Sequence, residues 1–359
     1  MQEHPYVRLR FVWITLPPRL DPWSPQRGEQ GLRLHYIVWQ HLAKRAASRI
    51  HFEHGLDLTH HVSWGTLSAP PLLWQLRVPF VWGPVGGGQT APRAFRTYFG
   101  RAWRTEVARS LRVTLLPFVP SVRQAARGTA LTLATNRDTS TLLERAGARR
   151  LELLPDAGVD PADRPARPPH RGAREELTLL WAGRLERRKA LPLALEALAQ
   201  VPDMPVRLLV AGSGPLANEW QALTSAMHLQ DRVRFLGRVS RSDMTELFDS
   251  ADAFVFTSLR DSFGAVVLEA MARGLPILAL NHQGVRDIVP RECGVMVSVT
   301  TPRETVAGLA EGIQLLATSP EARRRMTEAA WQTAGKLTWG ERARQLDAWY
   351  KECLKDSRS

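Results

Sequence analysis

A chain of 359 residues, 44% of them hydrophobic, carries enough apolar material for two domains, each with a core of its own. Its two cysteines, Cys293 and Cys353, form no disulfide framework and match no metal spacing, no run approaches the ~18 apolar residues of a membrane span, and the stretch after Met1 does not read as a secretory leader. The expectation is a soluble, cytoplasmic protein. The formal charge of +13 is carried mainly by arginine, and no nucleic-acid-binding module accompanies it, so no nucleic-acid partner is expected.

The charge is uneven along the chain. Residues 1–160 hold 21 Lys and Arg against 11 Asp and Glu, a net of +10, whereas the remainder holds 27 against 24, a net of +3. The chain opens on a predicted strand, Leu9 to Leu16, followed by a Pro-rich turn through Pro17, Pro18, Pro22 and Pro25, and then a helix from about Leu34 to Ile50. Leu56 to Val62 and Val78 to Trp82 read as strands. His60 and His61 close the first of these and are candidate cleft residues. The second runs into Gly86-Gly87-Gly88, a loop whose backbone can approach a ligand closely. From Arg93 to Arg127 there are eight arginines and one acid, Glu106. Phe95, Phe99, Trp103, Val107 and Leu111 recur every four residues there, an apolar stripe on a helix with arginines off it. The pattern from Arg93 to Arg112 fits a helix lying on an anionic membrane surface; it also fits a core-facing helix with a solvated basic face. Strands follow at Leu131 to Ala134 and Leu151 to Leu154.

Pro161 to Glu176, with Pro165, Pro168, Pro169 and scattered charge, reads as a linker. Beyond it, strands near 177–181, 206–211, 233–236, 253–256 and 277–280 alternate with helical or loop segments, the pattern of a doubly wound parallel sheet. The first crossover brings Gly183, Arg184 and Lys189 to a strand end and a helix N-terminus, a setting that favours phosphate. The second, Gly212-Ser213-Gly214-Pro215-Leu216-Ala217, fits the G-x-G-x-x-A dinucleotide pattern and opens the alternative of a nicotinamide-dependent oxidoreductase. After the fourth strand come Asp261, expected as an acidic N-cap, and a nearly all-apolar helix closed by Gly274. That helix carries Glu269, which is therefore expected to be buried and to meet either an arginine or a ligand's vicinal hydroxyls.

Taken together, Ala182-Gly183-Arg184 with Lys189, Ala211 to Pro215, Phe235-Leu236-Gly237, and Asp261-Ser262-Phe263-Gly264 leading to Glu269-Ala270-Met271-Ala272 resemble the retaining family 4 glycosyltransferases of the GT-B fold. The spacing from Asp261 to Glu269 is that of the family's E-x7-E motif, with Asp in place of the first Glu. Asn281 to Asp287 resembles its donor loop, and Trp339 to Tyr350 its last helix, which crosses back to the first domain. The resemblance implies an α/β protein of two Rossmann-like doubly wound domains facing each other across a cleft. Residues 1–160 would form the acceptor domain, 161–176 the linker, 177–335 the donor domain and 336–359 the returning helix. Members begin with a central strand, a Gly-rich turn and a long helix, none of which precedes Leu9. The first domain is therefore expected to be incomplete, and the reading frame to continue upstream of Met1.

The implied reaction is transfer of a sugar from a nucleoside-diphosphate sugar to a hydroxyl of a glycan or lipid-linked acceptor, with retention, in cell-surface polysaccharide or glycolipid synthesis. Arg184, Lys189, Asp261 and Glu269 would be catalytic. Gly183, Gly212, Gly214, Gly237, Phe263, Gly264, Gly284 and Val285 would hold the donor, and His60, His61, Gly86, Gly87 and Gly88 would touch acceptor or sugar. Neither a metal nor another cofactor is expected, and the protein would be cytoplasmic, peripheral at the inner face of the plasma membrane. A catalytically impaired paralogue that only binds a nucleotide sugar is a further alternative.

Overall fold

The computed structural model describes residues 9–17, 21–24, 26, 28, 30–169 and 175–356. They form two parallel sheets. The first has β1 (Thr59–His61), β2 (Phe80–Val85), β3 (Leu131–Ala134) and β4 (Leu151–Leu153) side by side in chain order. The second has β5 (Leu177–Ala182), β6 (Val206–Ala211), β7 (Val233–Gly237), β8 (Ala253–Phe256), β9 (Ile277–Leu280) and β10 (Gly294–Val297), in the order β10-β9-β8-β5-β6-β7. A strand buried on both faces needs apolar residues at every position, which is why β8 and β9 read as continuous hydrophobic runs, and β5 as one broken only by the half-buried Thr178, and were visible in the sequence. β10, four residues long and opening on Gly294, was not anticipated. Its place beside β9 depends on that glycine, because a Cβ there would lie 1.9 Å from the Ile277 carbonyl oxygen.

Two expectations are corrected. Leu9 to Leu16 is no strand: residues 9–17 join neither sheet, and Leu9 and Trp13 are largely exposed. Its composition suits a strand, but a strand exists only through ladder partners, and this segment instead offers the Ile14 carbonyl to the Trp39 indole at 3.2 Å. Pro18 and Pro25 of the turn that follows lie outside the described residues. The stripe from Phe95 to Leu111 is not one helical face either. Gly100, at φ 52°, separates helix Arg96–Phe99 from helix Trp103–Leu115. Phe95 and Phe99 turn inward, buried in the core that lies under β5 and β6 of the second domain, with Trp103 packed at its edge. Val107 and Leu111 stay exposed, and Leu115, Phe118 and Val119 continue their apolar surface.

The last helix, Trp339–Asp356, packs on the first sheet, where Trp349 and Cys353 join Val81, Leu131, Leu133 and Leu154 in one buried cluster. Arg342 in this helix donates to the Pro155 carbonyl where the chain leaves the first sheet. Among the described residues no helix is long and apolar enough to cross a membrane.

Candidate active site

In the second sheet the first strand, β5, lies between the second, β6, and the fourth, β8. Chain order reverses there, and a doubly wound sheet leaves a crevice outside the carboxyl ends of its strands at that point. The loop after β5 and the loop after β8 meet in this crevice. The Lys189 ammonium donates to Asp261 and stands 5.1 Å from the centre of the Phe256 ring. Arg188 reaches the same carboxylate oxygen at 3.3 Å, pairs with Glu186 at 2.6 Å and donates to the Arg260 carbonyl. Burial pushes the Asp261 carboxyl up, but Lys189 and Arg188 outweigh it and hold the group below the usual carboxylate range. Arg184, by contrast, projects into solvent, with Glu186 at 4.0 Å as its ion-pair partner.

The backbone beneath these cations is fixed from inside the sheet. The fully buried Trp181 donates to Thr257, whose hydroxyl donates to the Lys189 carbonyl at 3.0 Å, while the Leu259 amide donates to the Arg188 carbonyl at 2.8 Å. Gly212 and Gly214 serve the same loop sterically: a Cβ on Gly212 would meet the Gly183 carbonyl oxygen at 1.9 Å, and one on Gly214 the Leu185 carbonyl oxygen at 2.4 Å. The G-x-G-x-x-A stretch thus follows the second strand, away from the switch point, and its glycines are accounted for by packing. Gly237 supplies the carbonyl that accepts from the Gly212 amide at 2.7 Å.

Asp261 is not the N-cap of the following helix. That helix runs Ala265–Ala272 and is preceded by Gly264 at φ 78°, leaving Asp261 in the loop, where its amide donates to Gln283. Phe263 is buried beside Gly264. Gly284 lies so close that a Cβ on it would stand 2.1 Å from the Ser262 carbonyl oxygen, and Val285 packs beneath in the core. Glu269 is also placed otherwise than its apolar neighbours suggest. It is exposed, its carboxylate has no ion pair or hydrogen bond among the described residues, and it opens into a cavity of about 480 Å³ lined also by Gly158, Arg241, Ala265 and Trp339. An eight-residue helix whose other faces are filled by β8, β9 and helix Pro320–Gly335 still has one side free, and Glu269 occupies it. Partial desolvation in this cavity pushes its carboxyl above the usual range, with Arg241 opposing the shift.

The first domain closes the other wall. Gly86, Gly87 and Gly88 bring its loop against Thr135, Thr66 and Thr139, with Gly86 also facing the Ser262 hydroxyl. Three side chains that sequence reasoning missed bridge the domains: Asn136 donates to the Ser262 carbonyl at 2.6 Å, Gln283 to the Thr90 carbonyl at 2.7 Å, and Ser262 to Gln89 at 3.4 Å. Gln283 left no signal, since it lies in the polar stretch from Asn281 to Asp287 and only the fold buries it. Arg260 pairs with the buried Glu106 at 2.9 Å, and Arg286 with Asp138 at 3.3 Å. His60 and His61 are taken up by protein partners. His60 lies between the Tyr350 hydroxyl at 2.5 Å and the Gly83 carbonyl at 2.7 Å, and His61 meets the Tyr36 hydroxyl at 2.7 Å. Burial pushes both imidazoles down, His61 to about 4, so they are neutral links.

Residues 163–333 match the sequence model of the family described as glycosyl transferases group 1. This part of the chain belongs to that family. The chain is 30% identical to a D-inositol 3-phosphate glycosyltransferase of Corynebacterium urealyticum over 48% of its length and 42% of that relative. It is 31% identical to a glycogen synthase of Mycobacterium tuberculosis over 57% of the chain and 51% of that relative. The matches thus span about half of those relatives' length, or less. Over the whole fold, the structure of a sucrose-phosphate synthase from Thermosynechococcus elongatus superposes with a TM-score of 0.62 at 21% identity, covering 93% of this chain and 81% of that one. An Anabaena protein, Alr3699/HepE, in complex with UDP and glucose superposes with a TM-score of 0.54 at 17% identity, covering 87% and 82%. These likenesses show the fold: two Rossmann-like domains facing each other, the GT-B arrangement.

Proposed function

We propose that this chain transfers a sugar from a nucleoside-diphosphate sugar to a hydroxyl of a glycan or lipid-linked acceptor, with retention of the anomeric configuration, in the synthesis of a cell-surface polysaccharide or glycolipid. The observation that carries the reading is an unpartnered carboxylate, Glu269, opening into a nucleoside-sized cavity in the same domain that sets Arg188 and Lys189 at the switch point. Two carboxylate oxygens suit the vicinal hydroxyls of a ribose. The departing diphosphate gains charge as the glycosidic bond breaks, so Lys189 and Arg188, joined by Arg184 from solvent, stabilise it more in the transition state than in the bound donor. Asp261 keeps both cations oriented and stays ionised at neutral pH.

Because protein cations take that charge, activity is expected to survive EDTA; loss on chelation with recovery in Mn²⁺ would overturn the metal-free mechanism. The donor is found by a thermal-shift screen of nucleotide sugars. One of them at 100 times its Kd should stabilise the fold by ~2.7 kcal/mol, a rise of roughly 5–10 °C. Stabilisation by NAD(H) instead would favour the oxidoreductase reading, and binding without release of nucleoside diphosphate would make the protein a non-catalytic paralogue.

We also infer a peripheral site on the cytoplasmic membrane face, supported by the exposed Val107, Leu111, Leu115, Phe118 and Val119, with the exposed Arg104 and Arg112 beside them. Sedimentation with anionic vesicles should pull the protein down at low salt and less at high salt, with neutral vesicles leaving it in solution. Leu111→Asp combined with Phe118→Asp should abolish binding. Equal recovery with both lipids, or indifference to the substitutions, would remove this surface from consideration.

A further inference from the structure

Among the large apolar side chains of the last helix, Trp339 stands out. It is 53% exposed, yet it lies at a helix start whose backbone is fixed on both sides: the Val159 amide donates to the Leu337 carbonyl at 2.9 Å, and the Trp339 amide to the Val159 carbonyl at 3.1 Å. The indole rests on Gly158. A Cβ at that position would lie 2.8 Å from Cδ2 and 3.1 Å from Cγ, so the five-membered ring lies against the glycine backbone because no side chain intervenes. Trp339 also lines the cavity into which Glu269 opens, and its Nε1 donates to no protein group among the described residues. Leaving a rigid aromatic surface in water forgoes the stabilisation its burial would bring. The chain has nonetheless built a bracket that holds this one at the mouth of a site.

We propose that Trp339 is the platform on which the base of the donor nucleotide stacks. The inference rests on the nucleotide-sugar reading above and adds a contact that reading does not contain. A nucleobase has a π-face whatever its hydrogen-bonding edge, so a tryptophan platform contributes affinity for the nucleoside as a class. The ribose then falls to Glu269 in the same cavity, and the diphosphate lies outside the reach of this contact. Because Trp339 begins the helix that packs on the first sheet and is bonded to the chain segment joining the two domains, the platform is carried where the domains connect.

The test is calorimetric titration of the full chain with UDP, GDP and ADP, together with competition by inorganic pyrophosphate, which has the phosphates and no base. Trp339→Ala is expected to weaken the tightest of the three nucleotides by about tenfold or more, from typical base-stacking losses, and to leave pyrophosphate affinity unchanged. Trp339→Phe, which keeps a π-face, should bind nearly as the wild type, and Trp339→Leu, which keeps apolar bulk without one, should lose as much as the alanine variant. If the alanine variant fails to fold, the phenylalanine and leucine pair decides. Wild-type nucleotide affinity in Trp339→Leu, or equal loss of nucleotide and pyrophosphate, overturns the platform. A wild-type chain that binds none of the three nucleotides removes the nucleotide-sugar reading, and the platform with it.

Discussion

Replacing Lys189 with alanine is expected to lower kcat for sugar transfer by about 100- to 1000-fold, the loss typical of removing one preorganised group that faces developing charge. Lys189 is placed by tertiary contacts and not by its own short turn, Arg187–Lys189: its carbonyl is held by Thr257 and the carbonyl before it by Leu259, so the ammonium enters the crevice from a fixed base. Arg188 still reaches Asp261 at 3.3 Å after the substitution, and the melting temperature should therefore change little. The effect should fall on kcat more than on KM, because the charge that Lys189 meets grows as the diphosphate leaves. Steady-state kinetics with the donor found by thermal shift, read beside the melting curve, decides the matter. Turnover within threefold of the wild type in a folded Lys189→Ala protein would place the diphosphate elsewhere.

The second large effect is on stability. Gly212→Ala forces a Cβ to within 1.9 Å of the Gly183 carbonyl oxygen at a residue with φ 137°. Backbone strain of ~1–3 kcal/mol adds to overpacking of similar size. At 2–4 °C per kcal/mol for a domain of this size, the melting temperature should fall by roughly 10 °C. Gly237 is the control. It too has positive φ, 69°, but nothing lies within 4 Å of its ideal Cβ, so Gly237→Ala should cost only the ~1–2 kcal/mol of the left-handed backbone. Equal losses from the two substitutions would mean that the close approach of the β5 and β6 loops is not what Gly212 is for.

Much of the second domain was legible in the sequence. β8 and β9 begin and end where their apolar runs do, because a parallel strand covered on both faces has no polar position to blur its pattern, and β6 stayed readable although its Arg207 is exposed. Glycine and acidic residues after those runs marked the loops. The apolar spacing around Glu269 was also real, but it reports how much of a helix is covered, not which side is left open. The sequence therefore led to a buried carboxylate where the fold leaves an exposed one.

Read alone, the sequence determined the alternation of strands and helices in the second domain and the residue types available at each strand end, since both follow from local periodicity and backbone stereochemistry. Only the tertiary structure decided which of those ends meet. Lys189 touches Asp261 because β5 pairs with β8, not because the two are near in the chain. His60 became a structural link when the last helix brought Tyr350 to it from 290 residues away. Phe95 and Phe99 left the apolar stripe they share with Leu111 because the second domain supplied a core for them, whereas Leu111 found none and stayed at the surface. Periodicity fixes which residues can be buried together; the partner surface is assembled from distant segments, and its geometry alone settles which of them are.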